Sequence, residues 1–160
     1  MHTHRRSSLF TLRPLYAGAA ACALVLSAAS AQAQMPAATS ADGFVNGAAQ
    51  MLTLLSQGKT ADVWQAASPE MQKREKKDVF VKSIGSKYTG VGTITGRQWV
   101  AVNRLAANEP PATEKNPVPA GQYVNVVFVS STDTNRTLTE RVTFYLDKDN
   151  TWRPMGFVVQ

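Results

Sequence analysis

Two carboxylates and two phenols are the side chains here whose types suit acid–base work. Asp62 and Glu140 are candidate general bases, with Tyr123 or Tyr145 able to hydrogen-bond a reacting group beside them. A carboxylate takes that role when burial raises its pKa toward neutrality. Each also has a plain structural use. Asp62 stands near the start of a short helical pattern, where negative charge is favourable against the helix dipole. Glu140 can pair with Arg141 or with a neighbouring strand. The structural use is the expected one for both, so no catalytic residue is assigned.

Much other chemistry is excluded. His2, His4 and Cys22 are the chain's only histidines and cysteine, and all lie within 1–33. That stretch has the three parts of a secretory signal. Arg5, Arg6 and Arg13 supply the positive front, "LYAGAAACALVLSAA" the apolar run, and "AQA" at 31–33 the small residues for cleavage after Ala33. The uncharged apolar run is shorter than the roughly 20 residues of a membrane span. Cys22 sits in its middle, not at its end, which argues against lipidation. The expectation is a protein secreted to the periplasm, with no membrane span in the mature chain.

Without the signal, 34–160 has no disulfide, no thiol or imidazole nucleophile, and no zinc or copper site built on those groups. No metal site and no cofactor is expected. The chain has 17 basic and 11 acidic residues; removing three signal arginines leaves 14 − 11 = +3. Export and so small a charge exclude nucleic acid as an expected partner.

Other segments have simple readings. "KREKKD" at 73–78 interleaves Glu75 and Asp78 with four cations, which suits a solvated helix face with same-helix ion pairs. The glycines at 85–96 lack the spacing and the lysine of a phosphate loop. "DKDN" at 147–150 is far too short for a 12-residue calcium loop and suits a turn. The aromatic supply is a different matter. Trp64, Phe80, Trp99, Tyr123, Phe144 and Trp152 are candidates to line a pocket for an apolar or amphipathic ligand, against the alternative that they are core.

The elements that must position these groups follow from periodicity. "QMPAATSA" reads as a flexible lead over 34–41. Phe44, Ala48, Met51, Leu52 and Leu55 fall at helical spacing and predict a helix over 42–57, ended by Gly58. Thr60 is placed to cap a short second helix, and Ser68 before Pro69 to cap another. A further helix is predicted over 76–83 or somewhat beyond, with the glycines at 85–96 forming a loop into the first strand. Strands are predicted at 97–106, where alternation is imperfect, and at 122–130, 137–146 and 151–159, the last three joined by hairpin turns. Pro154 marks an edge or a bulge. The four prolines of 107–121 make that segment a surface excursion.

The residues Gly121, Tyr123, Glu140, Val142, Leu146, Asp147, Asp149, Trp152, Gly156, Phe157 and Val159 resemble, in order and spacing, a pattern of the DUF4019 family of small exported bacterial proteins of unknown function. Gly58, Trp64, Ala67, Ser68 and Pro69 resemble its upstream region. Asn150 stands where the family commonly has glycine, and Phe157 where it has tyrosine. The resemblance covers about 41–160 and brings no catalytic residue or ligand. Its helices-then-sheet order is similar to NTF2-like and cystatin-like cone folds.

The expected fold is α+β: a single domain over 42–160, with N-terminal helices packed on a curved antiparallel sheet of about four strands. The expected function is a binding or accessory module, for an apolar or amphipathic small ligand or a periplasmic protein partner, as monomer or homodimer. The alternative is a small pocket enzyme of isomerase or hydrolase type, using carboxylate and tyrosine.

Overall fold

The structure, a computed structural model, describes residues 40–110 and 117–160. The expected signal, almost all of the lead and the middle of the proline-rich excursion lie outside the described residues. Four helices come first. In α1 (Ala41–Ser56) the Ser40 side chain accepts from Gly43 N–H, and Phe44, Ala48, Met51, Leu52 and Leu55 form the buried stripe the spacing predicts. Gly58, at φ +76°, turns the chain so that Lys59 N–H meets the Leu54 carbonyl at 2.9 Å. That tight turn starts α2 (Thr60–Gln65) one residue early. Thr60 is therefore a buried first helical residue, and Lys59 takes the cap position without a side-chain bond.

Helix α3 (Pro69–Arg74) begins as expected, with Ser68 accepting from Glu70 N–H and Pro69 in the first turn. Helix α4 (Lys77–Tyr88) runs on through Gly85, further than its composition suggests. Its buried Phe80 and Ile84 hold that last turn against the core, so tertiary packing outweighs glycine's cost of about 1 kcal/mol in a helix. The break after Arg74 also divides the basic run 73–78 between two helices. Lys73 pairs with Glu70 at 2.7 Å, while Lys77 lies 5.9 Å from the Trp64 ring centre.

Strands β1 (Ile94–Ala107), β2 (Gly121–Thr132), β3 (Thr137–Leu146) and β4 (Trp152–Val159) form one antiparallel meander in chain order. This is the expected α+β class. Trp99 faces Phe128 and Ala101 faces Val127, leaving Val100 as the extra residue of a bulge, which is why the alternation in β1 is imperfect. Pro154 lies in the outer strand β4, next to a register shift at Thr143/Phe144. Asn135 and Asn150 hold the hairpin turns at φ +58° and +60°.

Inward residues of the sheet meet the helices. Val124, Val126, Phe128, Val142 and Phe144 pack with Phe44, Met51, Leu52 and Leu55. Phe44 is the hub, 5.5 Å from the Phe144 ring and edge-on to Trp152 at 5.1 Å. Each such side chain contributes about 1.5–3 kcal/mol on full burial. On the opposite face Tyr123 and Tyr145 lie 5.0 Å apart and donate to the carbonyls of Pro119 and Ala120. Tyr145 lies so close over Gly121, at φ +145°, that a Cβ there would meet its ring at 2.7 Å. Among the described residues no helix is long and apolar enough to cross a membrane.

Candidate functional site

Glu140 is fully buried on the helix-covered face of β3. One carboxylate oxygen accepts from Tyr88 OH at 2.6 Å and Arg97 Nη2 at 3.2 Å, and the other from Arg97 Nε at 2.7 Å and from Ser130 Oγ. The register explains the meeting: Arg97 faces Ser130 on β2, and Ser130 neighbours Glu140 across the next ladder. Arg97 also donates to Leu52 O at 3.0 Å and to Thr53 Oγ1 at 3.2 Å, so the knot ties α1 and α4 to three strands. Burial, followed by the bond to Glu140, pushes the Tyr88 phenol well above its ordinary pKa.

A buried carboxylate among convergent polar groups is the arrangement a pocket acid or base needs. Here both Glu140 oxygens are taken up by Tyr88, Arg97 and Ser130, and Arg97 spends further donors on α1, so the knot acts as a fastening. Tyr123 and Tyr145 lie on the other face and do not approach Glu140. Asp62 is exposed in the first turn of α2, as its dipole role requires. Tyr88, Arg97 and Ser130 escaped the reading of the sequence. The available signal was polarity at an inward position: Ser130 continues the Val124, Val126, Phe128 face.

A second network fastens the β3–β4 turn. Ser68 Oγ donates to Asp147 Oδ1 at 2.7 Å; Arg153 donates to Asp147 Oδ2 at 2.8 Å and to both oxygens of Asp149 at 3.0 and 2.8 Å. The guanidinium bond holds the Asp149 carboxyl down at about 2. Among the described residues no group of three or more acidic, histidine or cysteine side chains is placed to hold a metal.

The six aromatic candidates take different stations. Phe80, Phe144 and Trp152 are buried in the core, and Trp64 packs against it with its indole N–H on Glu75 O at 3.3 Å. Tyr123 is on the other face, its phenol raised to about 12 by burial and then by Tyr145. Trp99 is 58 % exposed on β1. An open pocket of about 420 Å³ lies elsewhere, lined by Met71, Arg74, Glu75, Val79 and Met155.

What β1 presents is an apolar edge. Val100 is 54 % and Leu105 52 % exposed, and among the described residues no strand pairs with the outer side of β1. Trp99 faces Phe128 on the helix-covered side, while Leu105 faces Tyr123 on the open side. Exposed apolar side chains thus follow the strand's edge and flank it on both faces.

The comparison of the chain with protein families matches residues 47–157 to DUF4019, a protein of unknown function. The chain belongs to the DUF4019 family. The comparison with curated proteins found no match. The DUF4019 resemblance now has a physical content in this chain. Its upstream Ser68–Pro69 and its Leu146–Asp147–Asp149–Trp152 turn are one contact, joined by Ser68 and Asp147. Glu140 is the centre of the buried knot, and Gly121 is the seat of Tyr145. These pattern residues hold the framework together.

Proposed function

We propose that this DUF4019 protein is a periplasmic accessory module, exported through its N-terminal signal, that binds a protein partner by adding a strand to β1. The observation that carries this reading is the exposure of Trp99, Val100 and Leu105 along one unpaired edge. Sheet edges are normally blunted by lysine, proline, inward charge, bulges or a covering element. Strand β1 carries inward Arg97 and Arg104 and register shifts at Ile94/Gly96 and Trp99/Ala101, but it has no lysine, acid or proline, and Trp99, Val100 and Leu105 stay exposed on it. A partner laid on one face would reach Trp99 or Leu105 but not both. A strand added at the edge is flanked by both, with main-chain hydrogen bonds for affinity and side chains for specificity. Self-saturation of the Glu140 knot weighs against the pocket-enzyme alternative.

The test is site-specific photocrosslinking in cells that make and export the protein. A benzophenone side chain at position 99 or 105 should yield discrete adducts, and one at the equally exposed Val79 of α4 should not. Adducts that form equally at all three positions, or at none, would defeat the proposal.

A further inference from the structure

Resting on the reading of β1 as a binding edge, we infer that its partner is a second copy of this chain, paired β1 to β1 in antiparallel fashion about a two-fold axis. The charges along the seam permit it. Arg97 and Arg104 are the only charged residues of β1. Arg97 is engaged by Glu140, and Arg104 lies over the rings of Phe44 and Trp152 at 5.3 and 5.9 Å. Arg97 is thus held inward, while Arg104, exposed at the surface, is held over the rings of its own molecule on the helix-covered face.

The opposite edge decides how such an association closes. On β4, Pro154 has no N–H to offer, and its carbonyl already accepts from Ser68 N–H at 2.7 Å. Pairing of β1 with β4 of the next molecule would propagate an open filament. That route is obstructed, whereas β1 with β1 closes as an eight-stranded dimer with no free apolar edge. The area is also adequate. Trp99, Val100 and Leu105 expose on the order of 300 Å² of apolar surface per copy. Two-fold symmetry doubles this to roughly 600 Å² when all of it is covered, and the backbone and flanking atoms of the uninterrupted stretch 101–107 must supply about as much again. The total reaches the approximately 1,200 Å² at the lower end of stable interfaces.

The experiment is native mass spectrometry and light scattering of the purified protein over a concentration series, with hydrogen exchange read at high and low concentration. Expected are a dimer and slowed exchange of the 94–107 amides in it. Val100→Lys with Leu105→Lys should raise the dimer dissociation constant at least a hundredfold, while Val79→Lys should leave it unchanged. Circular dichroism of each variant establishes that it is folded. A protein monomeric to 100 µM or so, or a dimer whose β1 amides exchange freely, would overturn the inference. The crosslinks at position 99 separate this failure from that of the binding edge. Adducts at twice the chain's mass support the inference; adducts to another protein overturn it and leave the edge reading standing. No adduct removes both.

Discussion

Ser68 Oγ and Asp147 Oδ1 are 2.7 Å apart and buried, although 79 residues separate them in the chain. The same hydroxyl accepts from Glu70 N–H and so caps α3. One side chain therefore starts a helix and pins the last hairpin to it. Ser68→Ala removes the cap, worth about 1 kcal/mol, and leaves Asp147 short of a donor in a buried place, which costs about 1–3 kcal/mol. Urea denaturation should show a combined loss of about 2–4 kcal/mol. A loss under about 0.5 kcal/mol would mean the contact does not persist in solution.

Glu140 and Arg97 should behave as a buried ion pair whose parts cannot be removed singly. Glu140→Ala strands a guanidinium that is only 12 % exposed and should cost about 3–5 kcal/mol. Replacing both, as Arg97→Met with Glu140→Leu, should recover most of that loss, because apolar pairs of similar volume often match a buried ion pair. The double-mutant cycle in urea measures this. If the double variant were as unstable as the sum of the singles, the pair would not be coupled.

The helical stripe of α1, the cap at Ser68, the three C-terminal strands and the edge position of Pro154 were legible in the sequence because each depends on neighbours a few residues away. Thr60 was misplaced by one residue, since the turn at Gly58 sets the start of α2 through a bond to Leu54 rather than through the capping side chain. The end of α4 was hidden because Gly85 argues for a loop and only packing by Phe80 and Ile84 overrides it. Glu140 was singled out correctly as a pairing carboxylate, yet its partners were not. Tyr88, 52 residues upstream, reaches it from the end of α4 packed on the sheet, and Arg97, 43 upstream, through the β1–β2–β3 register. The bulge at Val100 shifts that register and has no signature of its own.

Asn150 occupies a left-handed turn at φ +60°. Glycine reaches this region without strain, and asparagine tolerates it better than other side chains. Asn150→Gly should therefore keep stability within about 0.5 kcal/mol of the parent, whereas Asn150→Ala should cost about 1 kcal/mol. Thermal melts of the two variants compare them directly. Equal stability of alanine and glycine at this turn would contradict the positive φ.

Asp149 gives a prediction at the acid end. Its folded carboxyl is held at about 2, below the ordinary 3.8, chiefly by the Arg153 guanidinium. A carboxylate depressed on folding contributes its stabilisation above the unfolded pKa and loses it as pH falls from about 4 toward 2. Carbon-detected NMR titration should place the Asp149 midpoint near 2, and Arg153→Met should return it toward the ordinary range. A midpoint unchanged by Arg153→Met would show that the pair is not formed.

The alkaline end tests the buried knot without dismantling it. Desolvation and the bond to Glu140 raise the folded Tyr88 phenol well above 10, the value it has when unfolded. Folding therefore retains a proton that the unfolded chain gives up. The stabilisation is whole below about pH 10 and is lost as pH climbs above it, because deprotonation of the unfolded chain draws the equilibrium away from the fold. Tyr88→Phe keeps the ring and removes the titrating group, while Arg97 and Ser130 still serve the Glu140 oxygens. Between pH 9 and 11.5 or so, the urea midpoint of the parent should fall more steeply than that of Tyr88→Phe, with the difference opening only above pH 10. Parallel curves would mean that the phenol titrates alike in both states, and that Tyr88 is not held in the knot.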